Sequence, residues 1–290
     1  MTRDVSIAGY AEIVTERSES DEVELLLDVT ARALQEAGLA RREIGFTCSG
    51  SCDFLVGRPF SFVMALDAAG AWPPIAESHV EMDGAWALHE AWVHLQTGEI
   101  DSALVYAFAR SSLGPLRDVL ALQLDPYLVT PLWPDGDALA ALQAQAARDA
   151  GVPETPFHRG LERDGAAAIV LRAGRHGPVI RGIDHRIEPA SLGARELARS
   201  VSTEQAARAA GAAGADHAVL SSPYPGQEGI LAAALGVAAT EVIAGPMMVA
   251  GLRTIGRAAR AVSAGARRAV AHATSGPCLQ QNLVCVLETP

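Results

Sequence analysis

The chain has 290 residues, 49% apolar and 20% charged, with a net charge of −11; that length buries a large core and is enough for about two domains. The acidic balance argues against a nucleic-acid surface or an anionic membrane as partner, because both are bound by clustered cations. All 23 basic residues are arginine, which excludes lysine imines, pyridoxal phosphate chemistry on a lysine, and a P-loop.

No apolar run reaches the roughly 18 residues of a membrane span. The start, MTRDVSIAGY, lacks the apolar stretch of a secretory signal. Four cysteines in a chain of this size do not make a disulfide framework. The expected location is a reducing cytoplasm.

In chain order, ALQEAGLARREIGFTCSGS (33–51) predicts a helix, a glycine stop, a turn and an apolar strand ending in small polar residues. ESHVEMDGAWALHEAWVHLQTGEIDSALVYAFARSS (77–112) predicts a loop, a helix closed by Gly98, and a strand apolar enough to be buried on both faces. Residues 113–160 interrupt the alternation with an insert that ends in an alanine-rich helix. DGAAAIVLRAG (164–174) then returns as a strand. The pattern starts again at PVIRGIDHR (178–186), which mirrors DVSIAGYAE near the start. AARAAGAAGADHAVLSSPY (206–224) repeats 33–51 about 173 positions later, and IGRAARAVSAGARRAVAHATSGP (255–277) echoes 89–112 about 166 later, with Gly265 as the second helix stop. Two α/β halves related by a pseudo-twofold follow: 1–174, including the insert at about 113–160, and 175–290.

Several apparent sites weaken on inspection. HEAWVH (89–94) looks like a zinc motif, but its histidines are five apart, about 500° of helical turn, so His89 and His94 face about 140° apart. His79, Glu81 and Asp83 alternate ahead of a helix and suggest a small acid–histidine cluster, with metal ligation there only weakly signalled. Cys48 and Cys52 lack redox spacing and are expected at a strand end. No glycine fingerprint follows a strand, so a dinucleotide fold is not supported. No metal site is expected.

The segments GRPFSFVMALDAAGAWPPIAESHVEMDGAWAL (57–88), DPYLVTPLWPD (125–135), DGAAAIVL (164–171) and TSGPCLQQNLVCVLE (274–288) together resemble the thiolase superfamily nearly end to end. They look most like its sterol-carrier-type branch of thiolase-like or lipid-transfer proteins. The resemblance implies a five-layer αβαβα fold, dimerisation through the N-terminal half, and a loop domain shortened here to the insert. In this branch it also implies lipid or steroid side-chain catabolism and an OB-fold partner.

The family motif Val-Asn-x-x-Cys-x-x-Gly-x-x-Ala aligns with Gly84 and Ala87, which puts Glu81 where the nucleophilic cysteine stands. Glu81 would be a poor acyl carrier. It can serve as a general base or as a carboxylate capping the buried helix, and capping is the expected role. The Gly-His-Pro motif aligns with Ala244, Gly245 and Pro246, so its histidine is lost. The Asn- or His-containing turn aligns with Ser221 and Ser222, whose hydroxyls still donate hydrogen bonds. Tyr224 follows as a possible acid or base, if its environment lowers a pKa near 10; its plainer role is packing. Cys278 matches the family's C-terminal acid/base cysteine, or is simply a small buried residue. Coenzyme A phosphates would fall to arginines near the insert, with Arg110, Arg159 and Arg163 as candidates against a plain reading as surface charge.

Three readings stay open. The first is a degenerate thiolase-like subunit paired with another thiolase-like chain, an OB-fold partner, or both. The second is a non-Claisen acyl-CoA C–C lyase, a retro-aldolase on a β-hydroxyacyl-CoA, with Glu81, Tyr224 and Cys278 as acid/base groups. The third is a pure acyl-CoA or lipid carrier, for which no tunnel domain is evident. The degenerate subunit is the expectation carried forward, with no cofactor other than a coenzyme A thioester as ligand.

Overall fold

The computed structural model describes residues 3–70, 75–153 and 161–290. The first half runs β1 (Val5–Thr15), α1 (Glu22–Ala37), β2 (Phe46–Gly50), α2 (Asp53–Val56), α3 (Ser61–Ala69), β3 (Ala76–Val80), α4 (Gly84–Thr97) and β4 (Ser102–Arg110). The insert carries α5 (Leu116–Leu122) and α6 (Gly136–Asp149), and β5 (Asp164–Ala173) closes the half. The second half runs β6 (Val179–Ile187), α7 (Val201–Ala210), β7 (His217–Ser221), α8 (Gln227–Leu235), β8 (Glu241–Ile243), α9 (Ala250–Ser263), β9 (Arg268–Ser275) and β10 (Gln281–Glu288).

The strand order is β3-β2-β4-β5-β1-β6-β10-β9-β7-β8. Read inward from either edge, it is the same order twice. β2 pairs in parallel with β3 and β4, and β7 pairs in parallel with β8 and β9. β5 and β10 run antiparallel to their neighbours. The two sets of strands touch through one ladder pair, Ser6 with Val179, reinforced by the Ile7 N–H donating to the Pro178 carbonyl at 2.9 Å.

Side chains alternate across each strand and so split the interior into layers. On β4, Ala103, Val105, Ala107 and Ala109 join a middle core with α4 and α9, while Leu104, Tyr106 and Phe108 join an outer core under α1 and α3. On β10, Leu283, Cys285 and Leu287 face the same middle core, and Val284 and Val286 face α7 and α8. The result is helix, sheet, paired helices, sheet, helix: the five layers expected, with every residue of β4 buried.

Small residues let the layers approach. A Cβ on Gly256 of α9 would lie 2.2 Å from the ring of Tyr10 on β1, so the ring occupies the space glycine leaves. Gly98 ends α4 in the left-handed conformation as expected. Gly265 is also left-handed but follows the cap Ala264 of α9 by one residue. Cys48 lies inside β2 rather than at its end, because β2 runs two residues further, and Cys52 is the N-cap residue of α2.

Candidate functional site

The middle layer sets the geometry. α4 and α9 start side by side, and Asp83 sits between their first turns, 2% exposed. Its Oδ1 accepts the Ala85 N–H at 2.9 Å and the Leu252 N–H at 3.1 Å, and its Oδ2 accepts the Gly251 N–H at 2.9 Å. One carboxyl therefore caps both central helices. Close approach needs glycine on each side: a Cβ on Gly251 would lie 2.5 Å from Asp83 Oδ1, and one on Gly84 would lie 2.6 Å from the Ala107 Cβ. Burial pushes the Asp83 carboxyl up to about 6, against the three amide bonds that favour its charged form. In the turn before α9, Met248 adopts a left-handed conformation, rare for a residue with a side chain. Its carbonyl accepts the Gly84 N–H at 2.9 Å.

Above Asp83 opens a cleft with about 50 Å³ of free space, at the carboxyl ends of β7 and β9. Ser221, Tyr224, Thr274 and Ser275 supply its hydroxyls, and Leu120 and Gln123 of the insert line one side of it. Tyr224 also lines a second space of about 30 Å³ that reaches Cys278. Three of the four predicted site residues, Ser221, Tyr224 and Cys278, are thus drawn to one region. None is poised as a base. Burial drives the Tyr224 phenol well above its usual range, and its hydroxyl lies against Gly136, where a Cβ would be 2.3 Å away. Burial pushes the Cys278 thiol up to about 11, with Arg195 pulling the other way. Cys278 is left-handed, 5% exposed, and its thiol points to the Leu139 carbonyl of α6 at 3.7 Å. Arg195 holds this loop through the Pro277 and Cys278 carbonyls.

Glu81 is elsewhere. Its side chain is 45% exposed; Oε2 lies 3.2 Å from His79 Nε2, and Oε1 accepts the Asp53 N–H at 2.7 Å. It does cap a helix, but the short α2 rather than the buried helix expected, because Asp83 already fills the N-cap of α4. The expected acid–histidine cluster is correspondingly smaller. His79 pairs with Glu81 and with Ser49 at 2.9 Å and stacks on Phe62, while Asp83 turns inward, away from both. Gly245, at the position of the family histidine, offers only its carbonyl, which accepts from Arg253. Ser222 donates to the Tyr224 carbonyl at 3.4 Å.

Two of the arginines expected to hold coenzyme A have other partners. Arg110 is 9% exposed, donates to the Ser20 carbonyl at 2.8 Å, and lies 3.6 Å from the buried Asp164 and 3.8 Å from the buried Glu22. Arg163 pairs with Glu16 at 2.6 Å. Arg159 lies outside the described residues. His89 and His94 turn to different neighbours, His185 and Phe46. Among the described residues, no three His, Cys, Asp or Glu side chains gather in a way that could hold a metal ion. No helix of the described residues is long and apolar enough to cross a membrane.

Sequence reasoning weighed Asp83 only as a member of that cluster. The signal was present, an aspartate directly before a helical glycine, but its second set of donors is 168 positions away. The insert's anchor was also missed: Gln227 donates to Gln143 Oε1 at 2.9 Å, and Gln143 donates to the Leu197 carbonyl at 3.2 Å.

No family model and no curated protein matches the sequence. The fold does find relatives. The structure is similar to human mitochondrial 3-ketoacyl-CoA thiolase, with a TM-score of 0.74 at 12% identity over 99% of each chain. It is also similar to that enzyme in complex with CoA, with a TM-score of 0.73 at 11% identity over 99% of this chain and 98% of the other. At that identity the likeness is one of fold.

Proposed function

We propose that the chain is a degenerate thiolase-like subunit of acyl-CoA metabolism, serving a lipid or steroid side-chain pathway. On this reading it pairs with a second thiolase-like chain, an OB-fold protein, or both. The observation that carries the reading is the cleft. Its free space of about 50 Å³ is far below the roughly 300–1,000 Å³ of ordinary ligand sites. Insert side chains line one side of it, and its acid/base candidates are a phenol and a thiol, protonated at neutral pH already, that burial pushes still further from ionising. Glu81 supports the same conclusion, since its two oxygens already serve an amide and an imidazole. Acyl transfer needs a nucleophile that is free and activated. The acyl-CoA thioester is then handled by the assembly rather than by this cleft alone.

Native mass spectrometry of the complex purified from its own host tests the reading, alongside turnover assays on the isolated chain. The expected result is a heteromer and an isolated chain without activity. A clean homodimer that cleaves a β-hydroxyacyl-CoA would replace this reading with the C–C lyase. In that case, loss of the rate in Tyr224→Phe or Cys278→Ala would identify the acid/base groups.

A further inference from the structure

The stretch between α5 and α6 has two sides. Leu124 and Val129 turn inward, onto Leu139 of α6 and Cys278. Leu122, Tyr127, Leu128 and Leu132 turn outward and are between 65% and 85% exposed. The outward side is a built turn rather than loose chain. Asp125 Oδ1 accepts the Tyr127 N–H at 2.9 Å and the Leu128 N–H at 2.7 Å. The Asp125 carbonyl accepts the Thr130 N–H at 2.8 Å, and the Thr130 hydroxyl donates to the Leu124 carbonyl at 3.3 Å. Single exposed apolar residues are ordinary, but several gathered on one short segment mark a contact surface. A segment already ordered by its own hydrogen bonds loses less freedom when it binds.

Charge says what the surface meets. From residue 116 to residue 138 the chain holds four aspartates, Asp118, Asp125, Asp135 and Asp137, and one arginine, Arg117. That arginine lies 3.8 Å from Asp135. A twofold contact with a second copy sets a patch against itself, so aspartates would face aspartates. An anionic membrane is repelled for the same reason. A surface that carries cations is attracted.

We propose that this turn of the insert is a docking ridge for a different protein, one whose surface offers an apolar groove edged by arginine or lysine. The proposal rests on the reading of the chain as one subunit of a heteromer and names the face that holds the partner. Tyr127, the most exposed of the four apolar side chains, is the anchor in the groove, since buried tyrosines carry a large share of binding energy at such contacts. Asp118 and Asp137 meet the partner's cations at the rim, where charge sets the rate of encounter more than the final strength.

The experiment is hydroxyl-radical footprinting of the complex purified from the host against the isolated chain, read at Tyr127, Leu128 and Leu132. Oxidation at all three should fall at least about fivefold in the complex, as expected of side chains in the dry centre of an interface. The Tyr127→Ser, Leu132→Ser double variant should melt with the wild type, because both side chains are exposed, and should bind the partner at least about tenfold more weakly. Asp118→Arg should slow association, and raising salt from about 0.05 M to about 0.5 M should remove most of that difference. A partner that binds while all three side chains react as they do in the isolated chain overturns the ridge and leaves the heteromer standing. A chain that leaves the host alone overturns both. Self-association of the isolated chain that the double variant abolishes overturns the proposal in favour of contacts between copies, and flotation of the isolated chain with vesicles rich in anionic lipid overturns it in favour of a membrane.

Discussion

The connection that follows β4 and the one that follows β9 occupy the same place in the two halves. After β4 the chain spends residues 111–163 on the insert that carries α5 and α6; after β9 it crosses to β10 through residues 276–280. The long connection lies over the short one. The Cys278 thiol in the short loop points to the α6 carbonyl of Leu139, and Gln143 of α6 is bonded to Gln227 of α8. The repeat is therefore faithful where it builds sheets and unequal where it builds the cleft. The difference shows that the insert is divided in its contacts: α5 packs on Leu55 of α2 in the first half, while α6 is anchored to the second half.

Cutting the insert's root should have the largest effect on this comparison. Asp164 is fully buried and accepts the Ser18 N–H at 2.9 Å, the Ser112 N–H at 3.0 Å and the Ser112 hydroxyl at 2.7 Å, beside Arg110. Asp164→Ala leaves a buried guanidinium short of its counter-charge and should cost about 3–5 kcal/mol in denaturant unfolding. Crowding the middle layer comes next. Gly256→Ala forces the Tyr10 ring aside and should cost about 1–3 kcal/mol. The insert's anchor on the second half is read by a double-mutant cycle. Gln143→Leu and Gln227→Leu alone each leave the surviving buried amide short of one partner, for about 1–2 kcal/mol. The double variant should lose less than their sum, and strict additivity would show that the two residues do not act as a pair.

A pH series sharpens the contrast further. The Asp83 carboxyl is raised by burial, so its contribution to stability is fully present below about pH 4 and falls as pH rises through 6. Asp53, lowered by its bonds to Ser61 and Phe60 although burial opposes them, behaves the opposite way and loses its contribution as pH falls. The melting-temperature gap between wild type and Asp83→Asn should therefore widen from pH 8 to pH 5. A gap that narrows would mean the carboxylate form is the better-held one. The smallest effect belongs to Glu81→Gln, which keeps an oxygen for the Asp53 N–H at a half-exposed site. It should change stability by less than about 1 kcal/mol.

The layers were legible because they are written locally. Alternation on β4, the stop at Gly98 and the second copy of each pattern all lie within windows of twenty residues, where period and glycine placement suffice. The cleft was legible only in part. Ser221 at the end of β7 and Tyr224 and Cys278 on loops lie in segments that the resemblance identified, and the structure gathers them. Glu81 and Asp83 are two positions apart, yet one faces solvent and the other links two helices, and nothing local tells which is which. Arg110 shows the same limit from the other side. As a letter it is a cation near an insert; its partners Glu22 and Asp164 are brought to it by α1 and β5. Tertiary pairing, unlike burial, leaves no period in the sequence.

The single ladder pair between β1 and β6 has a consequence for how the chain can be divided. A nick within 174–177 would sever almost no hydrogen bonding between strands and would leave each fragment with a complete five-strand order. Neither fragment would be self-sufficient, because α4 and α9 each cover the other's apolar flank and share one cap. Co-expressed, the fragments should be recovered as a complementing pair; expressed apart, each should aggregate through its bare central helix.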